Sequence, residues 1–167
     1  MQTMTDLLTQ ELEELLASER YFLGVASQIH DYMTSSCLRD ALERQGEQKR
    51  VHVMRLQCAF DYLAHSPHEA PCKALRDLLE EAIRRAPYIE NPVTREVYLM
   101  GVKQKSEHLT IVSYCLARDY ALHLGQEEVA DMMEDTLAEK QTVELQLALM
   151  VKPPEHRPAL MRYSIGA

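Results

Sequence analysis

The chain has 167 residues, which is enough for one domain with a single core and too few for two domains of ordinary size. Five Gly, seven Pro, 46% hydrophobic and 26% charged residues exclude collagen-like, low-complexity and fully disordered classes, and so little Gly argues against a turn-rich β-sandwich. A net charge of −8 would repel nucleic-acid phosphates, so we expect no nucleic-acid partner.

Two long helices are predicted in the first part of the chain, over about 3–33 and about 35–64. Apolar residues recur at helical spacing in both segments, and Ser66–Pro67 stops the second. A hydroxyl side chain at the start of each segment can accept a hydrogen bond from the first helical turn. The candidate caps are Thr3 or Thr5 for the first helix and Ser35 or Ser36 for the second.

Two further long helices are predicted in the second part of the chain. Asn91–Pro92 supplies a capping side chain and a proline at the position where helices tolerate it, and Gly125 can close this third helix in the left-handed conformation. A fourth helix starts at 126–128, where two acids favour its positive end, and continues to about Val151 before Pro153–Pro154.

The long connection between helices two and three sets the topology. It spans about 27 residues and contains a shorter amphipathic segment from about Cys72 to Ala86. The other two connections are only a few residues long, so the helices they join must pack antiparallel. We therefore predict an all-α, ferritin-like four-helix bundle over 1–152, with one long crossover containing a short helix, and a C-terminal tail over 153–167.

The cellular compartment is predicted from the N-terminus and the cysteines. Residues 1–16 lack the cationic start of a signal or transit peptide, and no apolar run approaches the roughly 20 residues of a membrane span. The four cysteines are widely spaced without a Cys-x-x-Cys pair, so we expect reduced thiols. The sequence thus predicts a cytoplasmic protein that does not enter a membrane.

A polar residue interrupts the core-facing apolar stripe near the midpoint of each long helix. These residues are Glu19, His52, Glu107 and Glu139. Antiparallel neighbours of similar length bring their midpoints to one level, so we expect the four side chains to converge at the bundle centre. Because an unpaired buried charge costs on the order of several kcal/mol, something must compensate the carboxylates.

A metal ion is one form of compensation. Three carboxylates and one imidazole suit iron or manganese, and inward Glu and His from facing helices are how bundles build such sites. We expect one ion rather than two, because Glu-x-x-His pairs are missing: Lys49 stands three residues before His52, and Thr142 three residues after Glu139. An iron with an open coordination position could meet peroxide or dioxygen.

A metal-free ionic network is the alternative. Lys49 and Lys103 would then be internal counter-charges, and Gln45 and Gln48 would fill hydrogen bonds. The chain would be a non-enzymatic structural or interaction protein. The sequence has no phosphate-binding loop or nucleophilic triad, and we assign no catalytic residue.

The sequence resembles the YciF-type family of bacterial ferritin-like stress proteins. The likeness extends from about Leu8 to Leu149, and its motifs are loose individually and fairly specific together. They are Ala17–Glu19, Val53–Leu56 with Phe60, Glu107–His108 with Tyr114, Leu122–Val129, and Thr136–Lys140.

The resemblance implies a dimeric helical bundle with a di-iron-like centre. The inward carboxylates of the family match Glu19, Glu107 and Glu139, whereas other positions depart from its pattern. Where the family is expected to carry His and Glu in helix two, this chain has Gln45 and Gln48, and Thr110 replaces a second Glu. His52 takes a place usually held by an amide. The expected role is a homodimer that binds one ion in a stress or redox setting.

Overall fold

A computed structural model describes residues 2–153 and 156, and five α-helices with one short 3-10 turn account for the regular structure of that part. No helix in the described range is long and apolar enough to cross a membrane. The predicted tail, 153–167, falls outside the described residues except at Pro153 and His156, so the domain division stays a prediction. The helices are α1 Met4–His30, α2 Ser36–Tyr62, α3 Lys73–Arg85, α4 Pro92–His123 and α5 Glu127–Val151, with the 3-10 turn at Ala86–Tyr88.

The predicted starts of α1, α2 and α4 and the predicted end of α4 are confirmed by their caps. The Thr3 hydroxyl accepts a hydrogen bond from the Asp6 N–H, and the Asp6 carboxylate accepts one from the Thr3 N–H at 2.8 Å, which forms a capping box. Ser35 caps α2, and the Asn91 side chain accepts from the Thr94 N–H at 2.9 Å to cap α4. Gly125 has φ +68°, the left-handed conformation that only glycine adopts cheaply.

Two apolar clusters at opposite ends of the bundle define the helix directions. One joins the start of α1 to the end of α2, the end of α4 and the start of α5. The other joins the end of α1 to the start of α2, the start of α4 and the end of α5, and it includes α3. Helices α2 and α4 are therefore parallel to each other and antiparallel to α1 and α5, which confirms the ferritin-like arrangement.

The crossover helix α3 closes one face of the bundle. It packs on α1 and α4, with Leu75, Leu79 and Ala82 buried. The long connection thus carries its own apolar contribution to the second cluster. Between the two apolar clusters lies a layer of charged side chains, which is the candidate site.

Candidate functional site

Three of the four predicted site residues lie in the bundle interior at one level. Glu19 on α1, His52 on α2 and Glu107 on α4 are respectively 0%, 2% and 2% exposed. The fourth, Glu139 on α5, lies at the edge of the bundle with 34% of its side chain exposed. Glu139 contacts His52 but does not enter the interior with the other two carboxylates.

Lys140, the residue after Glu139, occupies the interior position on α5. It is 1% exposed, and it continues the buried stripe of Met133, Leu137 and Leu147. Glu139 is expected to face inward because it lies at heptad spacing with Met132 and Val143, but that row of residues lies one residue away from the buried face. Because the face with Met133, Leu137 and Leu147 packs into the core, Lys140 points inward and Glu139 points outward.

Three lysine side chains from three helices surround the two buried carboxylates. We call these five residues the charged layer: Glu19, Lys49, Lys103, Glu107 and Lys140. Each is at most 4% exposed. The Nζ atoms of Lys49 and Lys140 lie 2.8 and 2.6 Å from different oxygens of Glu19. Both oxygens of Glu19 are therefore paired with an ammonium group.

Glu107 is paired with all three lysines. Lys49 lies 3.0 Å from Oε1 and Lys140 lies 3.1 Å from Oε2, while Lys103, one helical turn before Glu107, also contacts Oε1. Lys140 additionally donates to the Thr110 hydroxyl at 3.1 Å. The sequence-based alternative, in which Lys49 and Lys103 act as internal counter-charges, therefore agrees with the geometry, and Lys140 adds a third.

Two aromatic rings complete the surroundings of the lysines. The Nζ atoms of Lys49 and Lys103 lie 4.6 and 4.2 Å from the centre of the Phe22 ring, within the range of a cation–π contact. Tyr114 donates its hydroxyl proton to Glu19 at 3.4 Å, and its ring lies 5.3 Å from the Lys140 Nζ. These contacts offset part of the cost of removing the charges from water.

The carboxylates are held in the charged form. Burial alone raises the pKa of Glu19, but the charges of Lys140 and Lys49 outweigh it and lower the pKa to about 2. For Glu107, burial is likewise outweighed by the three lysines, and its pKa lies well below the ordinary value. Burial lowers the pKa of Lys49, yet Glu107 and Glu19 outweigh it, so the pKa is raised.

Lys103 holds its proton less tightly than Lys49 does. Burial is the largest influence and lowers its pKa to about 8, with only Glu107 opposing strongly. Three ammonium groups face two carboxylates in the charged layer, so its charge is +1 when every member is ionised. Loss of one proton from Lys103 would neutralise the layer.

His52 and Glu139 form a second, more exposed pair beside the charged layer. Nε2 of His52 lies 2.9 Å from Glu139, which also receives two hydrogen bonds from Arg55, at 2.9 and 3.1 Å. The Arg55 hydrogen bonds, against a smaller opposing effect of burial, lower the pKa of Glu139 to about 2. Burial and the charge of Lys140 lower the pKa of His52 to about 4, so the ring is neutral at pH 7.

As arranged here, the four predicted ligands do not converge on one position that a metal ion could occupy. No three of Glu19, His52, Glu107 and Glu139 bring one ligand atom each to within 4.8 Å of one another. The inward oxygens instead meet ammonium groups, which repel cations and cannot act as ligands. A small cavity beside the charged layer, lined in part by Gln45 and His52, is about 10 Å³, which is too small for an organic ligand of ordinary size. Metal binding by these residues stays a prediction.

Two residues of the site are missed by sequence reasoning. Lys140 is not among the residues predicted to face inward on α5, although Leu137, which precedes it by three residues and is also buried, is the signal for the orientation of that helix. Arg55 is only partly buried, with 19% of its side chain exposed, and nothing in its own helix indicates that it meets Glu139. Glu139 lies on α5, so the contact with Arg55 depends on how α2 packs against that helix.

Comparisons with known proteins match nearly the entire chain. A family model described as a domain of unknown function, DUF892, matches residues 3–154. Protein YciF of Escherichia coli (strain K12) is 22% identical over 148 residues, which cover 88% of this chain and 89% of YciF.

Two solved structures have the same fold. The crystal structure of the E. coli stress protein YciF has a TM-score of 0.86 and 22% identity, and the match covers 90% of this chain and 96% of that one. YcfI from Rhodopseudomonas palustris, described as a candidate structural protein, has a TM-score of 0.84 and 24% identity, covering 88% of this chain and 94% of that one. These similarities confirm the predicted four-helix bundle.

Proposed function

This chain belongs to the YciF-type family, whose family model is DUF892, and on that premise we propose that it is a non-enzymatic structural or interaction protein. In this proposal, lysine side chains replace a metal at the bundle centre, and the function lies on the surface of the molecule. The description of one relative as a stress protein and of another as a candidate structural protein supports this role.

The observation that carries the proposal is the double pairing of both buried carboxylates. Lys49 and Lys140 each contact Glu19 and Glu107, so two ammonium groups bridge the same pair of anions. A divalent ion there would face three ammonium groups at close range. Since like charges at short range in a buried layer repel strongly, binding would require displacing or deprotonating lysines.

Elemental analysis of the purified chain tests the proposal against the iron or manganese hypothesis. We expect no stoichiometric iron or manganese, and none retained after anaerobic loading with ferrous ion and desalting. Roughly one equivalent of either metal that disappears in Glu107→Ala would refute the lysine-compensated centre and favour a metal-dependent redox role. Lys105→Met, at an exposed position on α4, is a matched control for changes of surface charge.

We further propose that the chain works as a homodimer in the cytoplasm. The outer face of α4 exposes Leu109, Val112 and Leu116, with 44%, 58% and 38% of their surface accessible, at the spacing of one helix face. A second copy packing on this face would cover these side chains. The four cysteines are all free thiols, which supports a reducing compartment.

A further inference from the structure

A cluster of metal-binding side chains lies away from the charged layer, where the end of α2 meets α1. Among the described residues, one group of three His, Cys, Asp or Glu side chains brings its ligand atoms to within 4.8 Å of one another: Glu13, His65 and His68. Glu13 lies on α1, whereas both histidines belong to the crossover that follows α2. The cluster therefore joins two segments that are distant in sequence.

The backbone at the end of α2 turns the histidines toward α1. Ala64 has φ +50°, a left-handed conformation that is unfavourable for a residue other than glycine. The His65 N–H donates to the Phe60 carbonyl at 3.0 Å and the Ala64 N–H to the Asp61 carbonyl at 3.1 Å, the hydrogen bonds of a left-handed helix end. The chain thus leaves α2 directed across the start of α1.

Each histidine ring is oriented by contacts of its own. His65 stacks on Phe60, with 5.9 Å between the ring centres and 29° between the planes. The backbone N–H of His68 donates to Glu13 Oε1 at 2.8 Å, which holds the start of the crossover against α1. Nε2 of His65 and Nδ1 of His68 then lie 3.3 and 3.0 Å from that oxygen.

The separations of the two histidine nitrogens from the Glu13 oxygen suit a small tetrahedral ion. Ligands about 2.0–2.1 Å from zinc lie about 3.3–3.4 Å apart at tetrahedral corners. The two observed separations from Glu13 Oε1, 3.3 and 3.0 Å, are close to that edge length. Two imidazoles and one carboxylate are also a ligand set that zinc uses when it keeps one position open for water.

We propose that Glu13, His65 and His68 bind one zinc ion whose fourth position faces solvent. His68 is 79% exposed and Glu13 only 13%, so the ion would be held from the protein side and open on the other. The ion clamps the end of α2 and the crossover to α1. The competing explanation is a hydrogen-bonded cluster without metal, in which Glu13 accepts from both rings.

A cobalt titration of the chelator-treated full chain tests the site. Cobalt(II) replaces zinc in such sites and reports four- or five-coordinate geometry by its visible absorption. We expect one equivalent to bind with that spectrum, zinc to displace it, and affinity to fall at least about tenfold in His65→Ala and in His68→Ala. The matched control is His108→Ala, which removes a different exposed histidine paired with Glu144 and should leave binding unchanged.

Glu13→Gln keeps the test valid if either alanine variant folds poorly. Glutamine preserves the hydrogen-bond acceptor but loses the charge, so cobalt affinity should again fall at least about tenfold while circular dichroism stays that of the parent. Absence of the cobalt spectrum in the parent chain, or an unchanged spectrum in all three variants, would overturn the proposal. Zinc at this site would survive Glu107→Ala, so its presence or absence is independent of the proposal for the bundle centre.

Discussion

Replacing Lys140 by methionine tests how the buried carboxylates are stabilised. The Lys140 ammonium lies 2.6 Å from Glu19 and 3.1 Å from Glu107, and methionine keeps most of the side-chain volume while removing the charge. One pair of unit charges attracts by about 4 kcal/mol at 4 Å and an effective dielectric constant of 20, and the desolvation of the ammonium group opposes this attraction.

The net cost of Lys140→Met is expected at the lower end of the usual range. Breaking a buried ion pair by removing one partner costs about 3–5 kcal/mol. Glu107 would still have Lys49 and Lys103, whereas Glu19 would keep Lys49 alone among the lysines of the charged layer. We therefore expect the free energy of unfolding to fall by about 3 kcal/mol, most of it arising at Glu19.

Urea unfolding followed by circular dichroism measures this loss. With a slope of about 2 kcal/mol per molar urea, a loss of about 3 kcal/mol lowers the midpoint by about 1.5 M. Lys105→Met, at an exposed position on α4, should change stability by less than about 0.5 kcal/mol. Equal midpoints for the two variants would refute the reasoning, because Lys140 would then compensate no buried charge.

Three further predictions concern the charged layer, its neighbouring histidine and the outer face of α4. Because both carboxylates keep Lys49 and Lys140, Lys103→Met should cost less than about 1 kcal/mol at pH 7. The pKa of Lys103 is about 8 in the folded chain and 10.5 in the unfolded chain, so the unfolded chain binds more protons between these pH values and stability should rise with pH there. Urea midpoints measured across this pH range should show the rise in the parent chain and not in Lys103→Met. The pKa of His52 is about 4 in the folded chain instead of 6.5, so stability should fall as the pH drops from about 6.5 to 4. In thermal melts over this pH range, His52→Gln should lose less stability than the parent chain. Val112→Glu should convert a dimer into a monomer in light scattering without changing the circular dichroism spectrum; a parent chain that is already monomeric would contradict the proposed α4 interface.

Much of the fold could be predicted because local chemistry marks where the helices begin and end. Thr3, Ser35 and Asn91 cap the helices that follow them, and Gly125 ends α4 at the one glycine with a positive φ among the described residues. The length of the crossover then determines the order of the helices. The interior positions of Glu19, His52 and Glu107 follow from the same helical spacing.

The orientation of α5 could not be predicted from a single stripe, because that helix carries two overlapping apolar faces. Met133, Leu137 and Leu147 form the face that enters the core, and the other face, with Met132 and Val143, lies one residue away. A walk in heptad steps drifts by about 20° per heptad from a straight α-helix, so it does not separate neighbouring faces over several turns. Packing of α5 against α4 and α2 decides which of the two faces is buried. It therefore also decides that Lys140, rather than Glu139, points into the bundle.

Sequence patterns do not predict the proposed zinc-binding cluster of Glu13, His65 and His68, for a different reason. Glu13 is separated from His65 and His68 by more than fifty residues, and the two histidines lie in a segment without periodicity. Their approach to α1 depends on the left-handed conformation of Ala64, which no residue preference indicates. Tertiary contacts therefore determine this site, whereas helix periodicity determines most of the charged layer.

Nuclear magnetic resonance of the lysine side chains tests most directly whether ammonium groups neutralise the bundle centre. In a chain labelled with ¹⁵N at lysine Nζ, single Lys→Met variants assign the signals of the charged layer. We expect the ammonium protons of Lys49 and Lys140 to exchange slowly with solvent at neutral pH, and the Nζ signal of Lys103 to titrate with a pKa of about 8. Ammonium protons that exchange at all three positions as fast as those of exposed Lys105 would contradict the account.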